Sequence, residues 1–355
     1  MDTTRRDFLR NSALAATAVA ASSKITGSAE AATAMATATA PKNYALPPTK
    51  RRGGMLYRQL GSTGDEVSLV GLGGFHIGKQ KEESESLRII HAALDGGITF
   101  MDNCWDYNDG TSEVRMGKAL RGRRDKVFLM SKIDGRTKEA AARQIDESLL
   151  RLETDRIDLM QFHEVIRLED PDRIFAKGGA FEAMMAAKKA GKIRHIGFTG
   201  HKDPLVHNRM LDVAAEHGFK FDAVQMPINV MDAHFRSFAR NVLPRLVSQK
   251  TGVLAMKTFG DHFILDHVVK SGTATPIQLL HYSMSQPVST VITGIDSLKF
   301  LHQALEAART FVPLTSAQKV ALLDKMRLAS ADGSLEKFKT SPRYDGTAKN
   351  PDWLG

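Results

Sequence analysis

Cysteine, aromatic residues and long tracts of one charge are all scarce in this sequence. Cys104 is its single cysteine, which excludes an intramolecular disulfide framework and any multi-cysteine zinc or iron–sulfur site built by this chain alone. Aromatic residues make up 7%, and the net charge of +9 is spread along the chain rather than held in a lysine and arginine tract. Nucleic acid is therefore not an expected partner. The 355 residues, 42% of them hydrophobic, are expected to fold around an ordinary apolar core.

The N-terminal region lacks an apolar run long enough to span a bilayer. Residues 13–21 are only weakly apolar, whereas a transmembrane helix needs about 20 strongly apolar residues. They follow Thr-Arg-Arg-Asp-Phe-Leu-Arg at residues 4–10, and the combination resembles a twin-arginine export signal. We expect residues 1–31 to be a signal peptide removed near Ala32, with Ala34-Met35-Ala36 as an equally good cleavage site. The expected partner is then the twin-arginine export machinery, and the expected location is periplasmic or secreted, with no stable membrane anchor.

Strand-like and helix-like segments alternate after a Pro-, Ala- and Thr-rich stretch, residues 32–54, that we interpret as a flexible linker. Eight short apolar or β-branched runs each precede a segment with apolar residues at helical spacing. These runs lie at residues 67–72, 98–102, 126–131, 157–162, 193–198, 222–226, 252–257 and 288–293. They predict an α/β fold, a single (β/α)8 TIM barrel at residues 55–330, because a closed parallel sheet has no edge. A β-hairpin is predicted at residues 55–64, a C-terminal helix at residues 315–329 and an irregular tail at residues 331–355.

Four ionisable residues lie near the predicted C-terminal ends of neighbouring strands, where barrels of this kind carry their chemistry. Asp102 ends the second strand and Tyr107 lies in the loop after it. Lys132 and His163 end the third and fourth strands, each after an apolar run. Burial makes an unpaired cation or imidazole costly, so these two side chains need partners, and Asp102 can be one.

The chain from Leu60 to about Ala308 resembles the aldo-keto reductases. The matching stretches are Leu60-Gly61-Ser62-Thr63-Gly64, Val67-Ser68, Gly71-Leu72-Gly73-Gly74, Gly97-Ile98-Thr99-Phe100-Met101-Asp102 with Tyr107, Ser112-Glu113 with Gly117-Lys118-Ala119-Leu120, Ser131-Lys132, Asp158-Leu159-Met160-Gln161-Phe162-His163, Gly191-Lys192-Ile193-Arg194 with Ile196-Gly197, and Gln225 with Asn229. The resemblance implies a (β/α)8 barrel that binds a nicotinamide cofactor without a Rossmann domain. It also implies hydride transfer between that cofactor and an aldehyde, a ketone or the corresponding alcohol.

By the same resemblance, Asp102, Tyr107, Lys132 and His163 form a catalytic tetrad. Tyr107 is expected to be the general acid and base, with the neighbouring Lys132 ammonium lowering the pKa of its phenol. Asp102 is expected to pair with Lys132, and His163 to donate or orient a hydrogen bond at the carbonyl oxygen.

The resemblance also marks cofactor-binding positions, and it marks no metal ligands. Thr199, Gly200 and Gln225 stand near the nicotinamide amide, and Met256 stands where a ring commonly stacks on the nicotinamide. The full predicted set is Thr199, Gly200, Gln225, Met256, Lys257, Gly294, Ile295, Asp296, Ser297 and Gln303. NADP(H) is the expected cofactor. NAD(H) remains open because Asp296 stands where a basic residue often holds the 2′-phosphate, although Lys299 or His302 could compensate.

Two other functions and the substrate stay open at this stage. A non-catalytic nucleotide-binding barrel, acting as a sensor or subunit, would keep the cofactor site without carbonyl turnover. A metal-dependent barrel enzyme using His163, His195, His201 and His207 is disfavoured because these lack a close metal-binding pair. The substrate is a small-molecule carbonyl or alcohol of unknown identity, for which the candidate pocket residues are His76, Trp105, His201, Asp232, His234, Phe338, Tyr344 and Trp353.

Overall fold

A computed structural model describes residues 44–355. The predicted signal peptide, residues 1–31, and residues 32–43 of the predicted linker lie outside the described residues. Within the described part, Thr49–Arg52 forms a strand, β1, that pairs antiparallel with the next strand. The predicted linker is therefore wrong at its C-terminal end. Backbone hydrogen bonds and an ion pair between Lys50 and Glu66, with 3.1 Å between Nζ and Oε2, hold this segment.

Two sheets make up the strand structure. After β1, the strands are β2 (Met55–Gln59), β3 (Glu66–Ser68), β4 (Val70–Gly73), β5 (Phe100–Asp102), β6 (Phe128–Ile133), β7 (Ile157–Phe162), β8 (Ile193–Thr199), β9 (Ala223–Pro227), β10 (Gly252–Met256) and β11 (Thr290–Gly294). The first sheet is antiparallel and has the order β1-β2-β3, so the predicted hairpin is a three-stranded sheet. The second is a closed parallel barrel with the order β10-β11-β4-β5-β6-β7-β8-β9, as the sequence predicts.

Helices surround the barrel and follow the strands. They are α1 (Gly74–Ile77), α2 (Glu83–Asp95), α3 (Thr111–Leu120), α4 (Lys138–Arg151), α5 (Asp170–Phe175), α6 (Ala180–Lys189), α7 (Pro204–Glu216), α8 (Phe238–Asn241), α9 (Leu243–Ser248), α10 (Phe263–Ser271), α11 (Pro276–Met284), α12 (Leu298–Arg309), α13 (Ser316–Ser330), α14 (Lys337–Thr340) and α15 (Gly346–Lys349). Side-chain caps set several starts; Thr275 and Gln278, for example, form a capping box at α11. No helix in the described part of the chain is long and apolar enough to cross a bilayer.

An apolar cluster closes the N-terminal end of the barrel. Leu60 and Val67, which flank the turn between β2 and β3, are fully buried against side chains from the barrel strands. The strand members are Phe100, Phe128, Met130, Leu159, Ala223, Leu254 and Ile292. Apolar side chains therefore fill the barrel interior at this end.

The C-terminal tail differs from the irregular segment that the sequence predicts. It consists of α14, α15 and two 3₁₀ turns, at Pro342–Tyr344 and Pro351–Leu354. Lys339 ties it to the barrel, because its buried ammonium lies 2.8 Å from Asp232 Oδ1 and 2.9 Å from Glu336 Oε2. Buried charges stabilise only when they are paired, so this contact fixes the tail in place.

Candidate active site

Three of the four residues predicted as catalytic are linked directly by one ammonium group. Lys132 is the second-last residue of β6, is 1% exposed, and donates from Nζ to Asp102 Oδ1 at 2.5 Å and to the Asn103 carbonyl at 2.7 Å. The same Nζ lies 3.1 Å from the Tyr107 hydroxyl. The ammonium therefore joins the carboxylate of β5 to the phenol in the loop after it. Neighbouring parallel strands bring their C-terminal ends together, which explains why residues 30 positions apart meet here.

Burial raises the pKa of the Tyr107 phenol well above its usual value, with Asp102, Cys104, Asp106 and Glu164 adding to the effect. The net pKa is therefore raised rather than lowered, although the Lys132 ammonium lies 3.1 Å from the hydroxyl. The negative charges around the ring, together with loss of water, outweigh one ammonium that is shared with Asp102. Tyr107 thus holds its proton throughout the ordinary pH range.

The fourth residue, His163, follows β7 and lies between two carboxylates. Its Nδ1 is 2.9 Å from Asp134 Oδ1 and 3.6 Å from Asp106 Oδ1. The imidazole ring meets the Tyr107 ring edge to face, with 5.8 Å between ring centroids. Burial alone would lower the pKa of His163, but Asp106 and Asp134 outweigh it and the net pKa is raised. Burial and repulsion from Asp134 raise the pKa of Asp106 to about 6.

A cavity of about 390 Å³ opens above these four residues. All four line it, together with residues from the loop after β10 and from the C-terminal tail. Tail residues Arg343, Tyr344 and Gly346 form part of its wall. The Tyr344 hydroxyl donates to Asp261 Oδ2 at 2.5 Å, which links the tail to the loop after β10. The volume and the mixture of apolar and charged walls suit a small organic ligand.

The predicted cofactor residues divide into two groups. Six of them line the cavity: Thr199, Gln225, Met256, Lys257, Gly294 and Asp296. The other four, Gly200, Ile295, Ser297 and Gln303, are not among the residues that line it in the described part of the chain. Ile295 is fully buried in the hydrophobic core, so its side chain does not reach the cavity.

Gln225 fits a carboxamide ligand. It is 2% exposed, lines the cavity, and its Oε1 has no hydrogen-bond partner among the described residues. A buried acceptor without a partner is costly, and a ligand amide N–H would satisfy it. The residues present at this wall therefore fit the amide of a nicotinamide.

Lys257 fits an anionic ligand. It directly follows β10, its ammonium lies 4.9 Å from the Tyr344 ring centroid and 5.9 Å from that of Phe338, and no carboxylate of the described residues lies within ion-pair distance. Burial lowers the pKa of this lysine, with Asp261 and Glu164 opposing the effect. A phosphate group in the cavity would supply the missing counter-charge.

Sequence reasoning missed three carboxylates at this site, Asp106, Asp134 and Glu164. One signal could have found Asp134: it lies two residues after Lys132, and alternate residues of a strand share a face. Glu164 gave no such signal. Its carboxylate accepts from the backbone N–H groups of Gly346 and Thr347, at 2.9 and 2.8 Å, which lie more than 180 residues away.

The candidate substrate-pocket residues also divide. His76, His201 and Tyr344 line the cavity. The two tryptophans, Trp105 and Trp353, instead pack edge to face on each other with 5.7 Å between ring centroids. The remaining three are structural: Asp232 pairs with Lys339, His234 contacts the Leu323 carbonyl, and Phe338 is fully buried.

Comparison with known proteins decides the family. The model of the aldo/keto reductase family matches residues 69–278, more than half of the chain. The chain belongs to the aldo/keto reductase family. Among curated aldo/keto reductases and their relatives, it is similar to aldo-keto reductase YhdN of Bacillus subtilis, 32% identical over 216 residues, covering 56% of this chain and 61% of that one. It is also similar to L-galactose dehydrogenase of Arabidopsis thaliana, 32% identical over 157 residues, covering 40% of this chain and 48% of that one.

These matches span about half to three-fifths of the length of the curated relatives. Among solved structures, the chain resembles the holo form of aldo-keto reductase AKR11C1 from Bacillus halodurans. The TM-score is 0.64 at 23% identity, covering 76% of this chain and 95% of that one. This likeness supports the aldo/keto reductase barrel as a fold.

Proposed function

We propose that this aldo/keto reductase transfers a hydride between a nicotinamide cofactor and an aldehyde, a ketone or the corresponding alcohol, with Tyr107 as general acid and base. The observation that carries the proposal is the Lys132 ammonium, placed between the Asp102 carboxylate and the Tyr107 hydroxyl where all three line the cavity. A non-catalytic nucleotide-binding barrel has no need of a buried ion pair aimed at a phenol.

A bound nicotinamide would supply the hydride. The chain's own residues would then deal with the negative charge that develops on the carbonyl oxygen. Tyr107, kept protonated by its raised pKa, is suited to hand its proton to that oxygen. The Lys132 ammonium stabilises the phenolate left behind, and Asp102 keeps that ammonium charged and in place.

For the cofactor, we propose NADP(H) ahead of NAD(H), held by Gln225 at its amide, by Met256 at its ring and by Lys257 at a phosphate. Among the described residues, Gln225 Oε1 has no hydrogen-bond partner and the Lys257 ammonium has no ion-pair partner, and both facts support these roles. Asp296 argues against NADP(H), because it lines the cavity and its carboxylate would repel the 2′-phosphate of that cofactor. The cofactor preference is tested by titrating the purified protein with NADPH and NADH. Asp296→Asn is expected to strengthen NADPH binding relative to NADH, and an unchanged ratio would place the 2′-phosphate elsewhere.

Replacement of Tyr107 by phenylalanine tests the reaction. Tyr107→Phe is expected to lower carbonyl turnover by about 10²–10⁴-fold, the usual worth of a positioned acid, while nicotinamide binding persists. The matched control is Tyr57→Phe, which removes a hydroxyl that donates to the Gly97 carbonyl at 2.8 Å in the N-terminal sheet. The measurement is turnover over a panel of aldehydes and ketones. Turnover of Tyr107→Phe equal to the control's would refute the assignment.

For residues 1–31, we propose that they direct export by the twin-arginine route, which gives a periplasmic or secreted protein. The arginine pair, the following Phe-Leu and the alanine-rich run support this proposal. The test replaces Arg5 and Arg6 by lysine in the full chain and follows the protein in cell fractions. Export of the double variant at the unaltered rate would contradict it. If export occurs with folded protein, the mature protein is expected to carry nucleotide when isolated.

A further inference from the structure

We propose that Asp134 and Asp106 are positioning residues that keep the His163 imidazole in its cationic form, so that its Nε2–H can donate to the substrate oxygen. This inference rests on the proposed carbonyl chemistry, but its first test does not depend on turnover. The donors at the cavity floor would then be a neutral phenol and an imidazolium.

One ring nitrogen of His163, Nδ1, is already engaged by Asp134. Nδ1 of His163 lies 2.9 Å from Asp134 Oδ1 and therefore carries a proton that it donates to this carboxylate. A neutral imidazole has one N–H, so a neutral His163 would offer only a lone pair at Nε2. Nε2 has no hydrogen-bond partner among the described residues, and His163 lines the cavity. Donation to a substrate oxygen thus requires the doubly protonated ring.

The charges around the ring supply a reason for that second proton. Asp134 is fully buried, and among the described residues neither its Oδ2 nor the Oδ1 of Asp106, whose side chain is 14% exposed, has a hydrogen-bond partner. Within the described residues, no lysine or arginine lies within ion-pair distance of either carboxylate, so His163 is their one cationic partner. Uncompensated buried carboxylates are costly, and a protonated imidazole offsets that cost.

The titratable groups that contact the ring or act on it electrostatically come from the ends of β5, β6 and β7 and the loops that follow them. They are Asp102, Cys104, Asp106, Tyr107, Lys132, Asp134 and Glu164. Lys132 is paired with Asp102 and so does not neutralise the two aspartates, while Glu164, whose carboxylate accepts from the tail backbone, adds a further negative charge near the ring. The resulting negative surroundings raise the pKa of His163 although burial opposes this.

Arg136 fixes the backbone segments that carry Asp134 and His163 relative to each other. It is 1% exposed and donates to the carbonyls of Asp134, His163 and Glu164 at 2.8, 2.7 and 3.0 Å. Its own charge is met by Asp170, with 3.2 Å between Nε and Oδ1. One buried guanidinium thus clamps the segments after β6 and β7, which fixes the aspartate relative to the imidazole.

A metal ion is the competing occupant of the same place. Ligand atoms of Cys104, Asp106, Asp134 and His163 lie within 4.8 Å of one another. Burial raises the pKa of the Cys104 thiol well above its usual value, so the thiolate that a metal needs is disfavoured. Metal binding through Cys104 would have to displace this thiol proton, which a second proton on the His163 ring does not require.

The test follows the His163 ring by NMR on the full-length folded protein labelled at histidine Cε1 and nitrogen, with His163→Asn identifying its signals. We expect an imidazolium at pH 7.5 in the unaltered protein. Asp134→Asn keeps an oxygen for Nδ1–H but removes the charge, and should lower the titration midpoint of His163 by about one pH unit or more. Asp106→Asn should lower it by less, and it serves as the second variant if Asp134→Asn does not fold.

The matched control is Asp65→Asn, because Asp65 Oδ2 lies 2.6 Å from His195 Nε2 at the other end of the barrel. It should move the His195 signals and leave those of His163 unchanged. A neutral His163 ring at pH 7.5, a midpoint unmoved in both variants, or stoichiometric metal retained by the purified protein would each overturn the proposal.

A turnover measurement then extends the test. For Asp134→Asn, carbonyl turnover should fall at least about tenfold at pH 7.5 and recover toward lower pH, where the ring regains its second proton. A loss that is the same at every pH indicates a purely structural role and contradicts the proposal. If the unaltered protein turns over no carbonyl at all while its NMR titration behaves as expected, the proposed function fails and the charge assignment of His163 survives.

Discussion

His163 and His195 each lie between two aspartates, one at the C-terminal end of the barrel and the other toward its N-terminal end. His195 Nε2 is 2.6 Å from Asp65 Oδ2, and its Nδ1 is 3.7 Å from Asp222 Oδ2. In both cases burial opposes protonation and the carboxylates outweigh it, so both pKa values are raised. The two arrangements thus look alike when only the histidine and its partners are considered.

The carboxylates of the two pairs differ in their other contacts. Asp65 also meets Arg194, with 2.8 Å between Oδ1 and the guanidinium, and Asp222 meets Lys188 at 3.4 Å. The pair around His163 has no such second cation within the described residues. At the N-terminal end, charge is therefore balanced by solvated basic side chains. At the cavity, the imidazole carries the balance alone, which is an arrangement typical of a functional site rather than of stabilisation.

The largest expected effect on stability and turnover comes from removing the Lys132 ammonium at the cavity end of the barrel. Lys132→Met leaves the buried Asp102 carboxylate unpaired, which should cost about 3–5 kcal/mol of unfolding free energy, and it should lower turnover by about 10²–10⁴-fold. The counterpart at the other end is Arg194→Met. The Arg194 side chain is 45% exposed, and its ion pairs should contribute about 1 kcal/mol or less to the unfolding free energy. Urea unfolding and carbonyl turnover measure both variants. Equal losses of stability would contradict the contrast between the two ends.

Glycine-to-alanine substitutions should also have different effects on stability and nucleotide binding at the two ends of the barrel. Gly252→Ala puts a Cβ 2.6 Å from Leu60 Cδ1 in the closed apolar end, and overpacking there should cost about 1–3 kcal/mol with turnover per folded molecule retained. Gly294→Ala puts a Cβ 2.4 Å from the His76 ring at the cavity wall. That ring can swing aside, so stability should change little, while nicotinamide affinity should fall by up to about tenfold, or 1.4 kcal/mol.

Gly54→Ala is the neutral reference, because nothing lies within 4 Å of the added Cβ. The measurements are urea unfolding and titration with the nucleotide that binds more tightly. A Gly294→Ala protein that binds nucleotide as tightly as the reference would show that the cofactor does not approach β11.

The barrel, and the positions of most residues of the predicted tetrad at its C-terminal end, could be predicted from the sequence because both depend on local patterns. Each strand is a short apolar run, and an ionisable residue directly after it must lie at the C-terminal end. Asp102, Lys132 and His163 follow this rule, and Tyr107 came with the family motif. The strand at Thr49–Arg52 was missed because its sequence is basic and its partners lie in β2.

Properties that depend on several distant residues could not be predicted. The pKa of Tyr107 is raised first by burial and then by the carboxylates around the ring, and two of these, Asp106 and Glu164, carry no sequence motif. The tail forms a cavity wall because Glu164 binds the backbone of Gly346 and Thr347. Contacts over such separations leave no periodic signal in a single sequence.

The smallest expected effect is on the pH dependence of stability at the N-terminal end. A raised pKa means that folded His195 binds its proton more tightly than the unfolded chain does. Its contribution is therefore complete below the unfolded value of about 6.5 and is lost as the pH rises through the folded value. Asp65→Asn should reduce the fall in unfolding free energy between pH 6 and pH 8.5, and it should leave turnover unchanged. Because His163 keeps its partners in this variant, the difference from the unaltered protein isolates His195. If the unfolding free energy falls equally in both proteins, the Asp65 contact is too solvated to hold the proton on His195. The two histidines would then share a similar geometry but not a similar effect of their aspartates on protonation.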